Sequence, residues 1–453
     1  MDFLRFPTEI QLAILENLCL HCQMPRRATS IPNLETRRGR ANKHAMSQLC
    51  LVSQYMKSLA QPILYHYFFS DQALDHNRVI PFKPKHFRGF VQTVQARSDL
   101  AMQVKLLTVV TPSLMDDAIE SIAPLIYSNP AIYSGDSNVL DGALMDIVFD
   151  TLPNLEYLRY EKSADLGKPN WMPTKTLSKL RVLEQMFGIH GILWINEIEA
   201  EMPHFPKLET LNLLEEPVTD LPGVELSLGL RRIQLEVGTC WHVVSIIKHF
   251  PQLEDLDVML YPHYLHRYQM NDASYQSPLW GRAGHTLRRL ALSMELTPMP
   301  PFQLQGRLDL SLHSLGALQV LQIDHTLLYL QLKHHQPAQH DALSHILPPR
   351  LVKLHLTGIR MWPNMRRQLD DLVSAKGDGR LLHLTDVGIG PFYPQLDITR
   401  EEMEHFQVEF NRVGIVWQEI DMPLKHLRLY DVLDPIEDTD GIDLSRLDIF
   451  QLP

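Results

Sequence analysis

Cysteine is scarce in this 453-residue chain: Cys19, Cys22, Cys50 and Cys240 are the full set. Four thiols, three of them within the first 50 residues, do not make a disulfide-stapled secreted fold. A reducing compartment, cytoplasm or nucleus, is therefore expected. No run of about 18 apolar residues occurs, so no membrane span or membrane partner is predicted. Asp2, Glu9 and Glu16 interrupt the apolar core a signal peptide would need. Positive charge is also short. Lys and Arg number 42 against 53 Asp and Glu, a net charge of −11, whereas a general nucleic-acid binder needs the opposite balance to neutralise phosphates. Motifs of catalysis are missing as well: G-x-S-x-G, H-E-x-x-H, G-x-x-x-x-G-K-[ST] and G-x-G-x-x-G do not occur. No catalytic residue is assigned and no cofactor is implied.

What is present is ordinary globular material, 45% hydrophobic and 21% charged. The length exceeds a typical single core, so two modules or an elongated repeat array are expected. Near the start, "FPTEIQLAILENL" reads as one short helix. Thr8 and Gln11 have the T-x-x-Q spacing of a capping box, and Ile10, Ile14 and Leu18, with Leu15 alongside, form one apolar stripe. A second segment, "SQLCLVSQYMKSLAQPILYHYFF", places Leu49, Val52, Leu59 and Ile63 at helical spacings, with Pro62 opening a further helix. Helices this short are marginal alone. They must pack on each other or on a partner.

Phe6-Pro7-x-Glu9-Ile10, then Ile14, Leu15 and Leu18, and in the second block Leu49, Val52-Ser53, Leu59-Ala60 and Pro62-Ile63-Leu64-Tyr65 together resemble the F-box motif, in a form common among fungal proteins. Phe6 stands where the family usually leads with Leu, and Met56 where an aromatic residue usually follows the Val-Ser pair. The resemblance covers roughly 60 residues in two separated blocks. It implies a small helical bundle that docks on the Skp-type adaptor of a cullin–RING ubiquitin ligase. The residues it assigns to that docking are Phe6, Pro7, Glu9, Ile10, Ile14, Leu15, Leu18, Leu49, Val52, Ser53, Leu59 and Leu64.

Between the blocks, an insert at about 21–45 carries Arg26, Arg27, Arg37, Arg38, Arg40 and Lys43. A basic run of this kind can serve nuclear import or contact acidic surfaces, but it reads first as a solvated loop. Cys19-x-x-Cys22 encloses His21, with His44 and Cys50 downstream. Zinc needs four converging ligands, and one C-x-x-C at a helix end supplies only two of them by spacing. These thiols, with Cys50 as a small core residue of the second helix, are therefore read as structural, with no metal site. His334, His335, His340 and His345 read as a surface loop.

From about residue 100 the chain repeats L-x-x-L-x-L. Clear copies are Leu155/Leu158/Tyr160, Leu208/Leu211/Leu213, Leu253/Leu256/Val258, Leu351/Leu354/Leu356 and Leu424/Leu427/Leu429, and less complete ones are Leu230/Ile233/Leu235, Leu287/Leu290/Leu292 and Leu318/Leu321/Ile323. "VKLLTVV", "LRVLEQM" and "LLHLTDV" are weaker copies. The last two positions lie two apart and so share one face of a short strand, while the first falls in the turn before it. Pro153, Pro206, Pro251 and Pro349 each precede the first leucine by two residues and stop the preceding segment, often a helix. This pattern resembles the leucine-rich repeat. It is irregular, with 22 residues from Leu208 to Leu230 but 43 from Leu381 to Leu424, and lacks the usual ladder asparagine. Residues 261–286, 325–349 and 388–423 read as insertions, the last holding a helix capped by Thr399 and Glu402 and closed near Gly414. The tail from Asp431 to Asp448 is acidic.

The expected architecture is α/β: a helical F-box bundle over 1–70, then an irregular leucine-rich-repeat-like solenoid over 71–453. In such an array, residues alternating with the inward leucines line the strand face. Those are Thr210, Asn212, Asp255, Asp257, Arg289, Gln322, Lys353, His355, His426 and Arg428, whose mixed charge suits a protein rather than a phosphate backbone. The resemblance implies substrate recruitment to a Skp–cullin–F-box ligase, with ubiquitin transfer left to another subunit. A repeat scaffold acting without a ligase is the alternative, and a hydrolase with a dispersed site a distant third.

Overall fold

The structure, a computed structural model, describes residues 5–24, 37–69, 84–109, 149–162, 176–187, 202–214, 229–237, 250–260, 284–294, 312–325, 327–328, 343–359, 362–390 and 398–419. The chain is α/β and divides into two compact units. Among the described residues, the first holds α1 (Thr8–Glu16), α2 (Leu20–Gln23), α3 (Arg37–Val52), α4 (Gln54–Leu64), β1 (Tyr67–Phe69), α5 (Pro84–Ala96), α6 (Ser98–Ala101), β2 (Leu106–Val109), β3 (Tyr157–Lys162), β4 (Val182–Phe187) and β5 (Thr210–Leu214). The second holds β6 (Arg232–Val237), β7 (Asp255–Leu260), β8 (Arg289–Met294), β9 (Val320–Asp324), α7 (Leu343–Ile346), β10 (Lys353–Thr357), α8 (Trp362–Gly377), β11 (Asp386–Ile389), α9 (Arg400–Arg412) and β12 (Val416–Glu419). Compactness thus groups α1–α4 with β1–β5 instead of dividing the chain near residue 70.

Within each unit every strand pairs in parallel with the next one in sequence. The repeat pattern explains the register. Leu158, Leu183 and Leu211 are side by side in one unit, and Ile233, Leu256, Leu290, Leu321, Leu354 and Val387 in the other. All are buried. The first leucine of a repeat closes a turn: Leu180, Leu208, Leu253 and Leu318 each donate their N–H to the carbonyl three residues earlier, on Leu177, Phe205, Phe250 and Leu315. Those acceptor residues are buried as well. Each repeat therefore begins one apolar position earlier than L-x-x-L-x-L suggests.

A second ladder runs just outside the strands, where the residue after the first leucine donates to its counterpart in the preceding repeat (Glu156 to Lys105, Arg181 to Glu156, Glu209 to Arg181). Its side chains alternate in sign, and Lys105–Glu156, Arg181–Glu209 and, in the second unit, Arg231–Glu254 form ion pairs. Like charges stacked at this spacing would repel, so alternation reinforces the parallel register.

Three expectations change. Pro62 does not open a helix but lies inside α4, two residues from its end, where its missing N–H costs the helix one i→i−4 bond. Residues 388–423 are more than an insertion, because β12 follows α9 and pairs with β11. Strand β1, read as helix from sequence, is β-structure because Tyr67, Phe68 and Phe69 pair with Leu106, Leu107 and Thr108. The capping box of Thr399 and Glu402 is present as expected. In these later repeats glycine, not proline, ends the helix. Gly379 and Gly414 both have φ of +77°, and Arg380 and Ile415 donate back to Ala375 and Phe410, the Schellman arrangement that needs a left-handed residue.

Candidate functional site

Helices α1, α3 and α4 leave a cluster of large apolar side chains in solvent. Ile10 and Ile14 of α1, Leu51 and Val52 at the end of α3, and Tyr55 at the start of α4 are 40–68% exposed. The two edges are pinned together. The Tyr55 hydroxyl donates to Gln11 Oε1 at 2.7 Å and lies 3.4 Å from Thr8 Oγ1, while Gln11 Nε2 donates to the Phe6 carbonyl at 2.8 Å. Gln11 is fully buried in this role, so it does not complete a capping box. The N-cap of α1 is Pro7, which leaves Gln11 one position beyond the N3 site that the box requires.

The residues assigned to docking separate into two sets. Phe6, Pro7, Glu9, Ile10, Ile14, Leu18, Leu49, Val52 and Ser53 are exposed or half-buried. Leu15, Leu59 and Leu64 are buried at 1%, 9% and 3% exposure, so they pack inward and present no contact surface. Ser53 has a structural part too: its Oγ accepts from Met56 N at 3.1 Å and caps α4. The reading missed Leu51 and Tyr55. Their signal was available, since both are large apolar or aromatic residues flanking the Val52-Ser53 break.

The basic insert is corrected in part. Arg26 and Arg27 lie outside the described residues, but Arg37–Lys43 belong to α3. Lys43 is buried, with Nζ 4.4 Å from the centre of the Tyr67 ring and 3.4 Å from the Tyr67 carbonyl. A cation held by a ring face and a carbonyl can leave water.

Of the proposed strand-face residues, Thr210 and Asn212 are buried, at 3% and 2% exposure. In the first unit both sheet faces are covered. Asn212 Nδ2 donates to Glu184 Oε1 at 2.7 Å, and Glu184 pairs with Arg159, the three residues side by side on β5, β4 and β3. In the second unit the same face is more open. Asp255, Arg289, Val320, Lys353 and Asp386 form one row across it, and Asp257, Ala291, Gln322 and His355 the next. Asp255, Asp257, Arg289, Gln322 and His355 are half-buried and Lys353 is exposed. The charges neutralise one another: Arg289 meets Asp255 and Asp257, and Lys353 meets Asp386 at 3.7 Å. Burial works against the Arg289 charge, but the two carboxylates outweigh it and raise its pKa. Burial, then Lys353 and Arg289, hold the His355 imidazole below its usual pKa. His426 and Arg428 lie outside the described residues.

A third feature was not foreseen. Cys19, His21 and Cys22, around the short α2, meet His66 just before β1, with the four ligand atoms within 4.8 Å of one another. Cys22 Sγ is 3.2 Å from His66 Nδ1 and 3.9 Å from His21 Nδ1, and Cys19 Sγ is 3.8 Å from His66 Nδ1. A hydrogen bond from Cys22, with a smaller one from His66, outweighs burial and draws the Cys19 thiol down to about 4. The same bond pushes Cys22 up, and burial lowers the pKa of His21. His44 and Cys50, flagged by spacing, are not in this cluster.

No helix among the described residues is long and apolar enough to cross a membrane. Compared with known proteins, the chain matches no family model and no curated sequence.

Proposed function

We propose that the chain is the substrate-recognition subunit of a Skp–cullin–F-box ubiquitin ligase, with an F-box bundle at α1–α4 and a leucine-rich-repeat-like array behind it. The observation that carries this reading is the apolar cluster of Ile10, Ile14, Leu51, Val52 and Tyr55. It lies on the two sequence blocks that resemble the F-box, and large apolar side chains grouped in water mark a protein-docking surface. A Skp-type adaptor is the occupant. A protein substrate is assigned to the charged strand face of the second unit, around Asp255, Asp257, Arg289, Gln322, Lys353 and His355. On this reading the chain itself performs no chemistry: it raises the effective concentration of the substrate at a separate transferase.

Ile10→Asp combined with Ile14→Asp tests it. The variant places two carboxylates in the apolar interface and is expected to abolish co-purification with adaptor and cullin. Its melting temperature should stay that of the parent, because both side chains are already exposed. Adaptor binding at parental strength by the folded double variant would refute the assignment. Adaptor binding without the cullin would point to a scaffold acting outside a ligase.

A further inference from the structure

We propose that Cys19, His21, Cys22 and His66 form a structural zinc site that clamps α2 to the first strand of the sheet. The contacts match the metal's needs. Zinc holds sulfur at about 2.3 Å and imidazole nitrogen at about 2.0–2.1 Å in a tetrahedron, so its ligand atoms stand roughly 3.3–3.8 Å apart. Three of the four sulfur–nitrogen separations run from 3.2 to 3.9 Å, and all four ligand atoms lie within 4.8 Å of one another. Two thiolates balance a divalent charge, two neutral imidazoles complete the four ligands, and this soft donor set selects zinc over calcium or magnesium.

The scaffold holds these groups by independent means. Cys19 is the extended N-cap of α2, fully buried, and Cys22 lies one turn on along the same face. His21 packs edge-on against Tyr157 of β3 and against His66, at 5.9 and 5.6 Å between ring centres. His66 is fixed by its backbone, whose carbonyl accepts from Lys105 and Leu106 at 2.8 and 3.0 Å as the first rung of the sheet ladder. A helix of four residues such as α2 is marginal alone. A metal bridging Cys22 to His66 would close a 44-residue loop, the kind of link that restricts an unfolded chain most. With four protein ligands the site is closed, which is the structural and not the catalytic form.

The test uses the full chain, purified under reducing conditions with zinc supplied. One zinc per chain is expected, and a chelator should lower the melting temperature. Cobalt(II) added to the stripped protein should bind at one equivalent, with a thiolate charge-transfer band and strong tetrahedral visible absorption, both erased by zinc. Cys22→Ser and His66→Gln should each weaken cobalt binding by more than about tenfold, the least that losing even a supporting group around a metal costs. Cys50→Ser, in α3 and outside the cluster, should leave it unchanged. Substoichiometric zinc with no effect of chelator on the parent chain overturns the site without recourse to any variant. So does a Cys19–Cys22 disulfide in the freshly isolated protein, or cobalt binding that survives Cys22→Ser.

Discussion

Arg289 on β8 reaches across one strand to both carboxylates of β7, its Nη1 2.6 Å from Asp255 Oδ1 and its Nη2 3.3 Å from Asp257 Oδ2. The sequence pattern places these aspartates on the strand face, between the inward apolar positions. They do alternate with buried Leu256 as expected, yet they are not free. Changing both to Lys would set three cations on adjacent strands. The expected loss is about 1–2 kcal/mol, taking charged hydrogen bonds discounted for their partial exposure, read as a lower urea midpoint. An unchanged midpoint would mean that the bridge does not persist in solution.

His355 gives a pH dependence of known sign. Its folded pKa is depressed, so as pH falls below about 6.5 the unfolded chain takes up this proton first. More protons on the unfolded side mean that stability falls with pH, from about 6.5 down to the folded pKa, and that this group contributes no slope above that window. His355→Gln should flatten that part of the stability profile and leave the neutral value nearly unchanged. An identical profile in the variant would remove His355 as its source.

Ser53 separates capping from docking. Ser53→Ala removes the acceptor for Met56 N and should cost about 0.5–2 kcal/mol. If capping is its whole role, affinity for the proposed adaptor, per folded molecule, stays at the parental level. A large affinity loss with no change in melting temperature would return Ser53 to the interface.

The buried Arg159–Glu184 pair should be costly to break and cheap to replace. The side chains are 3% and 1% exposed, so Glu184→Ala, which deprives Arg159 of this partner, should destabilise by about 3–5 kcal/mol. Arg159→Met with Glu184→Leu should cost much less than that single change. Equal losses would place the energy in packing instead of charge.

The strands were readable because a parallel repeat is a local code. Leu256 and Val258 must share a face, and the residue between them must oppose it, whatever surrounds the strand. The Thr399–Glu402 cap was readable for the same reason, since three residues of sequence hold all its parts. The rest depends on what approaches from afar. Spacing could not show that Thr210 and Asn212 are covered, because their burial follows from the packing of the whole first unit. Nor could it turn Lys43 inward, which takes the Tyr67 ring 24 residues away.

The sequence by itself determined the repeat, which residues of a strand share a face and the two blocks from which α1 and α4 are built, since each rests on periodicity over a few residues. Only the tertiary structure decided which apolar side chains of those helices stay in water, which strand face remains open, and that His66 joins Cys19, His21 and Cys22. Those outcomes rest on contacts between residues dozens of positions apart. No local pattern encodes such a meeting, because burial and coordination belong to the folded surroundings and not to the segment.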